Sequence, residues 1–225
     1  MQIISHRGAS TEAPENTLLA FDRAIQQGVD ALETDVLLTK DGQMVCRHDN
    51  LIQKDGSWYY LEELTAEEVR QIDLGGGGHI PSLEEVLERY GRKLPLLLDL
   101  KCPGLAVKLK SYFTQHKMPA GLHFTSFFLD EIRALVEAFP EAGHSIVLSA
   151  LPGRFQPLFE DARAREVSLY RGYLTLDTVK KLQDQDIRIR VYPVNVPKEA
   201  AKFKEWKIDG IFTDQPGVMQ FLRKK

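Results

Sequence analysis

Residues 81–127 read PSLEEVLERYGRKLPLLLDLKCPGLAVKLKSYFTQHKMPAGLHFTSF, and the rhythm of this stretch decides the fold. Residues 81–91 space their apolar side chains as a helix does and stop at Gly91. PLLLDLK (95–101) is a short, nearly continuous apolar run, the pattern of a strand covered on both faces. A second helical segment (105–116) and a second short run, LHFTSF (122–127), repeat the order. Strands alternating with helices at this spacing imply parallel strands joined by helical crossovers.

The same rhythm extends in both directions. Upstream, QIISH (2–6) is a strand, TLLAFDRAIQQG (17–28) a helix ending at Gly28, and ALETDVLL (31–38) a strand. QMVCRHD (43–49) is a further extended piece, turned back at Asp41-Gly42. Residues 51–79 are irregular, with a helix over TAEEVRQI (65–72) and a glycine run at 75–78. Downstream, helices at 129–139, 157–164, 176–185 and 198–206 alternate with strands at 143–150, 167–170, 187–195 and 209–214. A final helix is expected over PGVMQFLRK (216–224). With 51–79 counted as an insertion after the second strand, eight strand–helix units result. The expected fold is therefore an α/β (β/α)₈ TIM barrel, one domain over 1–225, rather than an open doubly wound sheet.

Composition excludes several classes of function. At 225 residues and 43% hydrophobic content the chain can bury a large core. A net charge of −3 with interspersed signs gives no field for nucleic acid, and no run approaches the ~20 apolar residues that span a bilayer. Cys46 and Cys102 lack disulfide or metal spacing, and the N-terminus shows no signal peptide, so a cytoplasmic location is expected.

A barrel carries its chemistry where the strands end. His6 and Arg7 end the first strand. Glu33 and Asp35 lie two apart on the second, so both carboxylates share a face. His48 and Asp49 end the next extended piece, and Asp99 and Lys101 end the strand at 95–101. Charge gathered at neighbouring strand ends is costly unless it meets a metal, a ligand or a partner. Three carboxylates suit a hard cation such as Mg²⁺ or Ca²⁺. Two histidines suit a general acid and base, and Arg7 with Lys101 suits phosphate oxygens. Together these describe phosphoester chemistry. Cys46 shares a face with His48, but nothing around it would activate a thiolate.

The blocks HRGASTEAPENT (6–17), ALETDVLLTKDGQMVCRHD (31–49), IPSLEEVL (80–87), LLLDLK (96–101), TSF (125–127), VYPVN (191–195) and IDGIFTDQP (208–216) resemble, in order, the glycerophosphodiester phosphodiesterase family. The resemblance runs essentially end to end. It implies a TIM barrel that hydrolyses a small-molecule glycerophosphodiester to glycerol phosphate and an alcohol with a divalent cation. It further implies that Glu33, Asp35 and Asp99 are metal ligands and that His6 and His48 are the catalytic pair. Arg7, Lys101, Glu15 and Asn16 are implied to contact substrate or phosphate. Asp99 departs from the family's usual Glu by one methylene. Tyr192 stands where the family commonly has Trp, still able to wall the glycerol moiety. The insertion at 51–79 is short for the family, which leaves a more open site suited to a bulky or variable alcohol. Related chemistries on the same residues are lysophospholipase D-type cleavage and cyclic-phosphate-forming lyase action, and a barrel kept only for ligand binding is the non-enzymatic alternative.

Overall fold

The computed structural model describes residues 1–223. Eight parallel strands close into a barrel. In chain order β1 is Gln2–Ser5 and β2 Ala31–Leu38, with β3 (Met44–Cys46) antiparallel to β2, and β4 (Leu51–Lys54) and β5 (Ser57–Tyr60) forming a separate hairpin. β6 (Leu96–Leu100), β7 (Leu122–Ser126), β8 (Gly143–Leu148), β9 (Glu166–Tyr170), β10 (Arg188–Tyr192) and β11 (Gly210–Thr213) continue the barrel from β2. Closure comes at β1, which pairs with β2 on one side and β11 on the other.

Helices α1 (Leu18–Gln26), α2 (Ala66–Arg70), α3 (Leu83–Tyr90), α4 (Leu105–Gln115), α5 (Leu129–Ala138), α6 (Gln156–Ala162), α7 (Leu176–Gln183) and α8 (Pro197–Glu205) supply the crossovers and part of the insertion. The start signals are local. Thr17 caps α1 by accepting from the Ala20 amide, and Thr65/Glu68 and Ser82/Glu85 form reciprocal capping boxes on α2 and α3. The expected last helix is a 3₁₀ segment, Val218–Arg223, where Met219 and Leu222 still bury against α8 and its neighbours.

Apolar residues fill the layer between strands and helices in two large clusters, one centred on β2, β6, α1, α3 and α4 and the other on β8–β11 with α5–α8. The barrel interior is narrower and mixed. Ile4, Ala31, Leu97 and Phe212 plug its middle, and Glu166, Arg190 and His123 form a polar layer towards the N-terminal ends of the strands. Gly143 is required there, because a Cβ would meet the His123 ring at 1.9 Å.

The stretch expected to be irregular contains order that the alternation does not show. β4 and β5 turn at Asp55-Gly56, both in the left-handed region, the type I′ turn that an Asp-Gly pair favours. With α2 they cover a small core of Leu37, Val45, Ile52, Leu61, Leu64, Val69 and Ile80.

Candidate active site

The C-terminal ends of the strands surround a cavity of about 260 Å³. Its wall is divided. His6, Arg7, Glu33, His48, Asp99 and Lys101 make a charged half, while Phe127, Val147, Tyr170, Tyr192, Pro193 and Phe212 make an uncharged half.

Register builds the charged half. Asp35 and Asp99 are Cα partners across β2 and β6, so two inward carboxylates face each other in a buried layer. Like charges so placed repel. Lys101 answers this, with its Nζ 2.6 Å from Asp99 Oδ2 and 3.1 Å from Asp35 Oδ1. Thr125, the β7 partner of Asp99, donates its hydroxyl to Asp99 Oδ1 at 3.1 Å. Arg7 Nε lies 3.0 Å from Asp35 Oδ2, paired in charge but off the line of a hydrogen bond.

Arg7 holds a left-handed backbone (φ 61°), and its amide donates to Glu33 Oε2 at 2.9 Å. Gly8 follows at φ 87°, and a Cβ there would press to 2.6 Å from the Ala20 backbone. Only glycine lets the chain turn so close to α1 while Arg7 faces the cavity.

Protonation follows from this geometry. Burial, then the nearby Asp35 and Asp99 charges, push the Glu33 carboxyl well above the usual carboxylate range. Burial also raises Asp99. Burial would raise Asp35 too, but Lys101 and Arg7 outweigh it and hold that carboxyl low. Burial works against the Lys101 charge, yet Asp99 and Asp35 raise its affinity for the proton. Three buried carboxylates thus share two cations, one of which, Arg7, also serves Glu15 at 2.9 Å. Oxygens of Glu33, Asp35 and Asp99 lie within 4.8 Å of one another. An acidic, all-oxygen donor set short of positive charge fits a hard divalent cation.

Both histidines are oriented by carboxylates. His6 Nδ1 lies 2.7 Å from Asp214 Oδ1, and His48 Nδ1 lies 2.7 Å from Asp49 Oδ1. Asp214 is itself held by the Asn195 side-chain amide (2.5 Å) and by Ser10 Oγ (3.3 Å), and Asn195 Oδ1 accepts from the Asp214 amide at 2.8 Å. Burial would raise the Asp214 carboxyl, but the bonds from His6, Asn195 and Ser10 lower it on balance.

Not every expected site residue reaches the cavity. Asp35 sits behind it, 1% exposed. Asn16 is buried at φ 58°; its Nδ2 donates to Asp35 Oδ2 (2.9 Å), and its Oδ1 accepts from Thr34 Oγ1 (2.8 Å) and the Asp35 amide (3.1 Å). With its amide spent inside the protein, Asn16 is a brace for Asp35 rather than a wall of the cavity. Glu15 is outside the cavity wall as well and meets Arg7 from the solvent side. Tyr192 does line it, its hydroxyl donating to the Leu148 carbonyl at 3.3 Å, and burial pushes that hydroxyl up to about 12. Trp58, Tyr59 and Tyr60 do not line the cavity. Cys46 is buried, and burial raises its thiol to about 12, which keeps it inert.

Asp214 is the functional-site residue that the sequence reading passed over. Its signal was present: barrel closure sets Ser5 beside Thr213, so the next residues, His6 and Asp214, must meet.

Residues 6–218 match the profile of the Glycerophosphoryl diester phosphodiesterase family. The chain belongs to that family. It is an enzyme of the glycerophosphodiester phosphodiesterase class. YhdW of Bacillus subtilis (strain 168) is 30% identical over 96% of this chain and 95% of its own length. A glycerophosphodiester phosphodiesterase of Caldanaerobacter subterraneus is 28% identical over 99% of this chain and 98% of its own. A phosphodiesterase of Oleispira antarctica, solved in complex with the product sn-glycerol-3-phosphate, superposes with a TM-score of 0.90 at 27% identity, covering 100% of this chain and 97% of that one. The barrel is that of the family, and among the described residues no helix is long and apolar enough to cross a membrane.

Proposed function

We propose that this phosphodiesterase, acting as one catalytic domain over 1–225, hydrolyses glycerophosphodiesters to glycerol 3-phosphate and an alcohol. The observation that carries the reading is the convergence of His6, His48, Arg7 and Lys101 with Glu33 and Asp99 on one cavity. The neighbour solved with sn-glycerol-3-phosphate supports the choice of substrate.

Arg7 and Lys101 bind and orient the phosphate oxygens, Arg7 through its guanidinium fork and Lys101 as a point charge. His6 and His48 exchange protons with the attacking and leaving oxygens, each ring fixed through Nδ1 so that Nε2 is left for the reaction. Glu33, Asp35 and Asp99 would hold a divalent cation, Mg²⁺ or Ca²⁺. When bound, that ion supplies charge stabilisation to a phosphoryl oxygen. Tyr192 walls the glycerol moiety. The free thiols Cys46 and Cys102 fit a reducing compartment, and we place the enzyme in the cytoplasm.

Phosphorus NMR of a glycerophosphocholine digest tests this reading. Glycerol 3-phosphate as the first phosphorus product is expected. A cyclic glycerophosphate in its place would make the enzyme a lyase, and binding with no turnover would make the barrel a receptor.

A further inference from the structure

The first barrel strand is flanked by two copies of one local device. β1 pairs with β2 on one side and β11 on the other, and each flank carries a Thr-Asp pair, Thr34-Asp35 on β2 and Thr213-Asp214 at the end of β11. An asparagine from a loop grips each pair. Asn16, in the loop after β1, accepts through Oδ1 from Thr34 Oγ1 (2.8 Å) and the Asp35 amide (3.1 Å), and its Nδ2 donates to Asp35 Oδ2 (2.9 Å). Asn195, in the loop after β10, accepts through Oδ1 from Thr213 Oγ1 (3.1 Å) and the Asp214 amide (2.8 Å), and its Nδ2 donates to Asp214 Oδ2 (2.5 Å). The bonds correspond one for one.

A carboxamide that bonds both the amide and the carboxylate of one aspartate fixes the rotamer of that side chain. In each clamp the asparagine takes Oδ2 and Oδ1 is aimed at the site: Asp35 Oδ1 at Lys101 Nζ (3.1 Å), Asp214 Oδ1 at His6 Nδ1 (2.7 Å). The clamped carboxylates also flank consecutive residues at the end of β1, because Asp35 Oδ2 lies 3.0 Å from Arg7 Nε while Asp214 holds His6. Burial separates the two copies. Asn16 and Asp35 are buried, whereas Asn195 and Asp214 are only half-buried. Removing Asn16 therefore strands polar groups away from water. Removing Asn195 lets water replace its bonds, which spares the fold but frees the Asp214 carboxylate to turn.

We propose that Asn195 is a positioning residue of the phosphodiester reaction, locking Asp214 so that the His6 ring keeps Nε2 aimed at the reacting oxygens; this rests on the role given to His6 above. Asn195 is not part of the cavity wall, so it acts through Asp214 and not on the substrate. Its counterpart Asn16 serves the same purpose for Asp35, at the cost of stability when it is lost.

The test is a double-mutant cycle on glycerophosphocholine hydrolysis, run with whichever of Mg²⁺, Ca²⁺ and Mn²⁺ supports the fastest wild-type turnover. Values of kcat, KM and the thermal midpoint are measured for wild type, Asn195→Ala, Asp214→Ala and the double variant. Asn195→Ala is expected to lower kcat about tenfold, the loss of one hydrogen bond to a charged group, with KM near wild type. Its thermal midpoint should stay above that of Asn16→Ala. In the Asp214→Ala background the Asn195→Ala change should cost nothing further, because the asparagine then has no carboxylate to hold. An unchanged kcat in Asn195→Ala overturns the proposal. So does a tenfold loss that persists in the Asp214→Ala background, which would give Asn195 a contact of its own. A thermal midpoint as low as that of Asn16→Ala would make the clamp structural and overturn it as well. Absence of turnover by wild type, or a wild-type rate in His6→Ala, would overturn the reading on which this one rests. Dependence on His6 together with an additive cycle would remove the Asn195 proposal alone.

Discussion

His6 Nδ1 and Asp214 Oδ1 lie 2.7 Å apart although 208 residues separate them in the chain. The contact exists because β1 closes the barrel against β11, which turns the first and last strand ends into neighbours. Asp214 holds the imidazole by one nitrogen and leaves the other to the cavity. Asp214→Asn is expected to lower kcat by about 10²-fold, within the range that a positioned acid or base contributes. Its thermal midpoint should stay near wild type, and its pH–rate profile should shift. An unchanged kcat would mean that His6 does not depend on this anchor.

Asn16 ties Asp35 and Thr34 together through three buried hydrogen bonds. Asn16→Ala leaves those groups unsatisfied and forces alanine into a left-handed backbone. The expected cost is about 2–4 kcal/mol, read as a fall in thermal midpoint of roughly 4–16 °C for a chain of this size. A midpoint within a degree or so of wild type would show that Asp35 needs no brace.

Asp99 faces the cavity one methylene short of a glutamate. Asp99→Ala should abolish activity, because Lys101 and any bound cation lose a shared partner. Asp99→Glu should preserve it. Near-normal rates for both variants would remove Asp99 from the reaction.

At the opposite end of the barrel His123 is buried, and Arg190 Nη1 lies 3.1 Å from its Nε2. A guanidinium can only donate, so the ring accepts and stays neutral, even with Glu166 Oε2 2.9 Å away. Glu166 is already engaged by Arg188 and Arg190. Burial first, then the Arg190 charge, hold the His123 pKa well below its ordinary value. The unfolded chain therefore binds a proton near pH 6.5 that the folded chain refuses. Stability from this site is complete above about pH 6.5 and is lost as pH falls from there towards the folded pKa. Thermal midpoints between pH 8 and pH 5 should fall more steeply for wild type than for His123→Gln. Parallel curves would contradict a neutral buried histidine.

Much of this was legible in the chain. Short apolar runs alternating with helical spacing specify parallel strands covered on both faces, and the count of eight such units selects the barrel over an open doubly wound sheet. A period of two put Glu33 and Asp35 on one face, and strand ends located His6 and Lys101. The β4–β5 hairpin was not legible as an element. Trp58 and Tyr60 are exposed on a two-stranded ribbon, so no apolar alternation marks it, although Asp55-Gly56 did mark its turn. Asn16 and Asp214 carry no local signal of their roles. Their partners come from β2 and β1, and only closure of the barrel sets those distances.

The most direct test of the central claim is release of glycerol 3-phosphate from glycerophosphocholine and glycerophosphoethanolamine, in EDTA and with Mg²⁺, Ca²⁺ or Mn²⁺ added in turn. Release that requires a divalent ion and disappears in both His6→Ala and His48→Ala is the predicted result. Release that persists in EDTA, or that survives either histidine substitution, would contradict it.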